Sequence, residues 1–423
     1  MTKYERKAQS QRKHGPPSVS GASKAPTAPP VHRPGWKGSG YVKKSPRKAP
    51  PPSQEKANSL KMFEQIIPVE LQQLLLDIFR DTFPELNDFE ALKPALQDIK
   101  EAMVQRDLDR AFGTPESLER YTIRWSPSRA LVFSNVLAWI CNHWPEQECV
   151  KRFVGGDAQI PARVLSFGRG AAEHIASAAV LKHLHPYAAG RQSRPLSEEA
   201  DEISQDLDAL SISRPQPAHQ SLLLSMHQVD TTNWSNVLSK LHHTYTTPPT
   251  LSQYASAKAR ASNNSFLSDQ ALSWKFIQLD VLECGVEQLR SIIGFEPILL
   301  TFFFTLGELY STSMSKASAF LMKLTLAAPK GSLLLVVDSP GAQAETRVQS
   351  DGQAQERIYP VQWLMYQALY PGGLQKMKDE EEAEPAWKKL AEEDSYLFQL
   401  VKGLRYPASL ENMKFQLHLL ERL

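Results

Sequence analysis

The chain has 423 residues, with 48 Lys and Arg against 46 Asp and Glu, and 3 Cys. That length allows two domains, or one large domain with additions. Three thiols make no disulfide framework, no apolar run reaches the ~18 residues of a membrane span, and the start is too polar for a secretory leader, so a soluble intracellular chain with no membrane partner is expected.

The near-neutral balance hides an asymmetry. Residues 1–57 carry 13 Lys and Arg, from Lys3 to Lys56, opposed by Glu5 and Glu55 alone. The stretch is rich in Pro, Ser and Gly and poor in aliphatics, so it is expected to be disordered. Such a tail is attracted to polyanions. It reads as a nuclear or nucleolar address joined to an RNA-binding arm, with a solubilising tail in a cytoplasmic protein as the plainer alternative.

Residues 58–150 read as a helical module. Leu71, Leu75, Ile78 and Phe79 share one face, as do Leu96, Ile99 and Met103. Thr114-Pro115-Glu116 starts a helix, and Ser126-Pro127 is expected to start another, running apolar on nearly all sides to Trp144. Arg129 would then sit in a first helical turn, where the macrodipole disfavours a cation. It needs an anionic partner: an internal carboxylate, a phosphate or a cofactor carboxylate. Cys141, His143 and Cys149 lack a fourth ligand and standard spacing, so they read as core residues and no metal is expected.

From residue 151 to 423 strands alternate with helices, which implies a parallel sheet. Val164 to Phe167 is an apolar strand, Gly168 and Gly170 a tight turn, and Ala171 the start of a helix whose free N–H groups face that turn. Further strands are expected at Ser221–Met226, Trp274–Leu279, Ile298–Phe304 and Leu333–Val337, with two late ones at Tyr396–Val401 and Met413–Leu420. Residues 186–220 and 344–356 read as disordered insertions, and Val361 to Leu369 as a helix.

Glu173 lies beyond the glycine turn, Asp230 after the second strand and Asp280 after the third. In an open parallel sheet the carboxyl ends of the strands line the ligand crevice. Asp230 is placed for a ribose diol and Asp280 for an adenine amino group, although Asp at strand ends is also common in turns. With Phe167, Gly168 and Gly170 they form a candidate cofactor site for a nucleoside. A dinucleotide fingerprint wants a third glycine where Glu173 stands, which disfavours an NAD oxidoreductase. The two late strands fit S-adenosylmethionine (SAM) better.

The motifs Arg124-Trp125-Ser126-Pro127-Ser128-Arg129-Ala130, Leu165-Ser166-Phe167-Gly168-x-Gly170-Ala171-Ala172-Glu173, Val229-Asp230-x-x-x-Trp234, Thr305-x-x-Glu308-Leu309-Tyr310, Val337-Asp338-Ser339-Pro340-Gly341 and Tyr406-Pro407-x-x-Leu410-Glu411-Asn412-Met413 together resemble the fungal 25S ribosomal RNA uridine-N(3) methyltransferases. The resemblance runs from about Thr114 to the C-terminus outside the insertions. It implies an α/β class I methyltransferase fold, a Rossmann-like seven-stranded sheet. It also implies SAM as methyl donor and a uridine of the large-subunit RNA, free or in a pre-ribosomal particle, as acceptor. A monomer is expected. Under that resemblance Glu308 and Asp338, at the ends of central strands, are the candidates for the base or its positioning group, Asp338 equally a turn cap. Arg124, Arg129, Tyr310 and Tyr406 are the candidates for RNA binding. The alternative is a catalytically degenerate scaffold for pre-ribosome assembly, toward which Ser166 and Arg169 point.

Overall fold

We describe the chain from a computed structural model, over residues 65–155, 160–168, 170–186, 222–350, 353–370 and 385–423, with the side chains of 345–357 left aside. The basic leader, almost all of the expected 186–220 insertion and Arg169 lie outside the described residues.

Helices come first. α1 spans Val69–Thr82. α2, Phe89–Gln105, is capped by Asp88, whose carboxylate accepts the Ala91 N–H at 3.2 Å. α3 is Leu108–Phe112, capped by Asp107. α4 runs without a break over Pro115–His143, with Thr114 as its cap and Pro115 at the first position. The expected second start at Ser126-Pro127 is therefore wrong. Pro127 lies inside the helix, where it cannot donate to the Ile123 carbonyl one turn back. The Tyr406 hydroxyl donates to that carbonyl instead, at 2.9 Å. The penalty for an internal proline is offset by a residue far along the chain, and Arg129 is a mid-helix residue. α5 is Glu148–Gly155.

The alternating part follows as β1 Ala162–Phe167, α6 Ala171–Leu184, β2 Leu224–Asp230, α7 Ser235–Thr246, α8 Ala257–Ala261, β3 Leu272–Gln278, α9 Val286–Ile293 and β4 Leu299–Phe303. Then come α10 Leu306–Thr312, α11 Met314–Ala327, β5 Leu333–Asp338, β6 Gln343–Ser350, β7 Gln353–Pro360, α12 Val361–Leu369, β8 Trp387–Phe398 and β9 Met413–Arg422. The segment expected to be a disordered insertion at 344–356 is instead the antiparallel ribbon β6–β7, with Gln343 paired to Pro360 at its base. Its alternation of polar and small residues carries little apolar signal for a strand.

Seven strands form one sheet in the order β3-β2-β1-β4-β5-β9-β8. The first five are parallel, and β9 and β8 join antiparallel. Chain direction across the sheet reverses between β1 and β4, the place where open α/β sheets bind ligands. Strand alternation splits the core into two layers. Val164, Leu299 and Leu333 face one apolar cluster with α1 to α7; Leu165, Leu300 and Leu334 face another with α9 to α12. The first cluster takes residues from the N-terminal helices and the sheet alike, and Gln54–Leu423 form one compact unit.

Candidate active site

The turn after β1 sets the geometry. Gly168 has φ +130° and Gly170 φ +65°, regions that L side chains avoid. A Cβ on Gly168 would overlap Thr305 Oγ1, and one on Gly170 would lie 2.7 Å from Gln228 Nε2. The Gln228 amide donates to the Gly170 carbonyl at 2.6 Å, so the buried end of β2 holds the turn. Gly170 then leads into α6.

Beside the turn lies a cavity of about 210 Å³. Phe167 and Gly168 line its base, and Asp230 and Asp280 bring carboxylates to its walls beside Val281 and Leu282. Each carboxylate also closes its own turn: Asp230 Oδ1 accepts the Thr232 N–H at 2.8 Å, and Asp280 Oδ1 that of Leu282 at 2.9 Å. The turn-cap reading of these residues is met, and the same hydrogen bonds hold both carboxylates fixed at the cavity wall. A slot of mixed lining with three carboxylates, Asp230, Asp280 and Glu308, beside a turn that admits no Cβ, fits the adenosine half of SAM.

A second cavity, about 580 Å³, opens at the ends of β4 and β5. Arg129, Phe304, Glu308 and Asp338 line it, with Arg106 and Met103 from the helical segment. Asp338 is 5% exposed. Its Oδ2 accepts the Gly307 N–H and its Oδ1 the Ser339 N–H, both at 2.7 Å. Burial raises its pKa, and the two backbone donors pull it back. Glu308, on the first turn of α10, lines both this cavity and the adenosine slot. A third, narrow space of about 10 Å³ holds Glu173, Arg129, Phe304 and Thr305 together.

The structure separates the four expected RNA contacts. Arg129 faces the wide cavity, its guanidinium hydrogen-bonded to the Tyr121 hydroxyl and stacked 5.8 Å from the Phe304 ring. Tyr310, on the buried face of α10, is 1% exposed in the core, and burial pushes its hydroxyl up to about 12; so enclosed, it cannot stack on a base. Tyr406 is committed to the Ile123 carbonyl. Arg124 pairs with Glu411 and donates to the Ser409 carbonyl at 3.3 Å. The last two hold the C-terminal segment against α4. Their residue types suggest RNA; their partners lie more than 280 positions away and leave no local signal.

Phe304, Thr305, Gln228 and Arg106 were not expected from sequence. A positive φ at Phe304 and Arg106 has no one-dimensional signature. Cys141 and Cys149 are buried thiols, each pushed up to about 12 by burial, and the described residues hold no cluster fit for a metal ion. No described helix is long and apolar enough to cross a membrane. Ser166 is buried in the core.

The strand order, the glycine turn at its reversal and the slot beside it define a class I methyltransferase architecture. The chain belongs to a family of SAM-dependent methyltransferases, whose profile matches residues 79–421. A curated relative, the 25S rRNA (uridine(2843)-N(3))-methyltransferase of Saccharomyces cerevisiae, is 26% identical over 350 residues, covering 81% of this chain and 83% of that one. Among solved structures, a SAM-dependent methyltransferase from Methanosarcina mazei has a TM-score of 0.27 at 9% identity, over 62% of this chain and 92% of the other. SAM-bound CalS10, an amino pentose methyltransferase from Micromonospora echinaspora, has 0.25 at 9% identity, over 69% and 92%.

Proposed function

We propose that this chain methylates N(3) of a uridine in large-subunit ribosomal RNA. The observation that carries the reading is Glu308, a carboxylate at the wall between the adenosine slot and the wide cavity. The name of the yeast relative supplies the substrate class.

In this reading Phe167, Gly168, Asp230 and Asp280 hold the adenosine, Gly170 keeps the turn, and Glu173 serves the amino-acid end of the cofactor. SAM supplies an electrophilic methyl group. The chain must place a uracil ring in line with it, which is mainly a matter of proximity. The ring enters the wide cavity out of its stack. Its N(3) proton must leave before the nitrogen attacks, and Glu308 is the carboxylate placed to accept it. Asp338 is a positioning residue, since its oxygens hold α10 through Gly307 and the turn through Ser339. Arg129 offers positive charge to the uracil as the proton departs. Residues 58–150 then act as the substrate-side module and 151–423 as the methyltransferase domain, in a nucleolar monomer.

The test is mass spectrometry of large-subunit RNA from cells lacking the gene. One N(3)-methyluridine should be absent, and should return with the wild-type gene but not with Glu308→Gln. A full complement of methylated uridines in the deletion strain overturns the reading.

A further inference from the structure

Among the described residues two non-glycine positions have positive φ: Arg106 at 58° and Phe304 at 55°. They lie on different elements of the fold, and both line the wide cavity. Such backbone is uncommon outside glycine and tends to gather at functional sites. Phe304 is explained by the site itself, where its ring backs Arg129. Arg106 is not.

Arg106 ends α2 in a left-handed conformation, its N–H donating to the Ala102 and Met103 carbonyls. Glycine is the residue this position favours, because it has no Cβ to strain. Packing does not ask for arginine here, since the side chain is exposed. Ion pairing does not ask for it either. Among the described residues Arg106 has no carboxylate within 4.0 Å, a lack it shares with Arg129, which lines the same cavity. What remains is the cavity. Arg106 is exposed at its edge, while Arg129 is partly buried within it.

We infer that Arg106 is a contact for an RNA backbone phosphate beside the target nucleotide, kept at a position where glycine would make the fold more stable. The planar guanidinium suits a phosphate, which it can engage through two N–H groups. The inference rests on the RNA reading above and adds a residue, a ligand group and a stability cost to it.

Arg106→Gly and Arg106→Ala are compared with wild type in three measurements: thermal melting, S-adenosylhomocysteine binding by calorimetry, and binding to large-subunit RNA from the deletion strain across a salt series. Arg106→Gly should melt higher by about 2 °C and bind S-adenosylhomocysteine as before. Its RNA affinity should fall several-fold, with the slope of log K against log salt reduced by about one. Arg106→Ala should lose the same RNA affinity without the rise in melting temperature, which separates charge from strain. Wild-type RNA affinity and slope in Arg106→Gly overturns the inference. If the wild-type protein fails to methylate this RNA, the proposed function falls first; if it methylates and Arg106→Gly binds normally, only Arg106 falls.

Discussion

Two carboxylates face the wide cavity, and the contacts of each assign different work. Asp338 gives both oxygens to backbone donors, so Asp338→Ala leaves the part-buried Gly307 N–H without its acceptor. The cost should be about 1–3 kcal/mol, read as a lower melting temperature. Glu308→Gln should leave melting and S-adenosylhomocysteine affinity near wild type and lower single-turnover methyl transfer by roughly 10²- to 10⁴-fold. The opposite pattern would exchange their roles. Gly168 tests the slot in the same way. Gly168→Ala puts a methyl against Thr305 Oγ1, at a φ that only glycine adopts comfortably. S-adenosylhomocysteine affinity should fall about tenfold (1.4 kcal/mol), and Thr305→Ala in the same chain should restore part of it. Calorimetry on the two variants decides. The glycines, Asp230 and Asp280 were legible in sequence because turn chemistry and strand ends are local. Tyr310 and Tyr406 were misjudged because burial and a distant partner settle what an aromatic does.

Elements were legible where periodicity was strong and illegible where one element completes another. β4 and β5 read as buried strands because they are apolar throughout. α4 read as two helices because Ser126-Pro127 is a good start signal; only β9's approach, bringing Tyr406, makes the continuous helix tolerable. A second case joins β2, α6 and α7. Gln228 holds the Gly170 carbonyl; His174, the fourth residue of α6, bonds through Nε2 to the Tyr245 hydroxyl at 3.0 Å. Tyr245 in turn meets His242 Nδ1 at 2.6 Å, and His242 Nε2 meets Asp269 at 3.1 Å near the surface. Burial lowers the His174 pKa from 6.5 to about 3. The folded state therefore binds this proton less readily than the unfolded one. Stability from it is complete above about pH 6.5 and is lost as pH falls toward 3, by up to about 1.4 kcal/mol per pH unit. His183, His227 and His242, all lowered by burial, act in the same direction. Urea midpoints at pH 7.5 and 5.5 should differ clearly in wild type and less in His174→Gln. Equal differences in both proteins would remove His174 from the acid response.

At the scale of the whole molecule, fold and charge pull in different directions. The seven-strand order puts the proposed cofactor slot at the β1–β4 reversal and the wide cavity next to it, against helices that precede the sheet in sequence. Strand alternation made the sheet legible, but no local pattern says that α2 and α4 return to wall its substrate side. Charge is the unsolved part of binding RNA. Setting aside the leader's 13 cations and two carboxylates leaves 35 Lys and Arg against 44 Asp and Glu in residues 58–423. A body with that excess of carboxylates repels a polyanion at long range, and in the proposed reading Arg106 and Arg129 act only once RNA has arrived. On that reading the attraction is assigned to the leader. Removing residues 1–57 should leave S-adenosylhomocysteine affinity unchanged, since the described residues that line the slot run from Leu108 to Thr312. RNA affinity should fall by at least an order of magnitude at low salt, with a large loss of salt dependence, because the released counterions scale with the cations in contact. Methylation of a short RNA supplied at saturating concentration should survive the truncation. If instead the truncated chain keeps full affinity and slope for large-subunit RNA, the attraction resides in the body despite its sign, and the leader is an address alone.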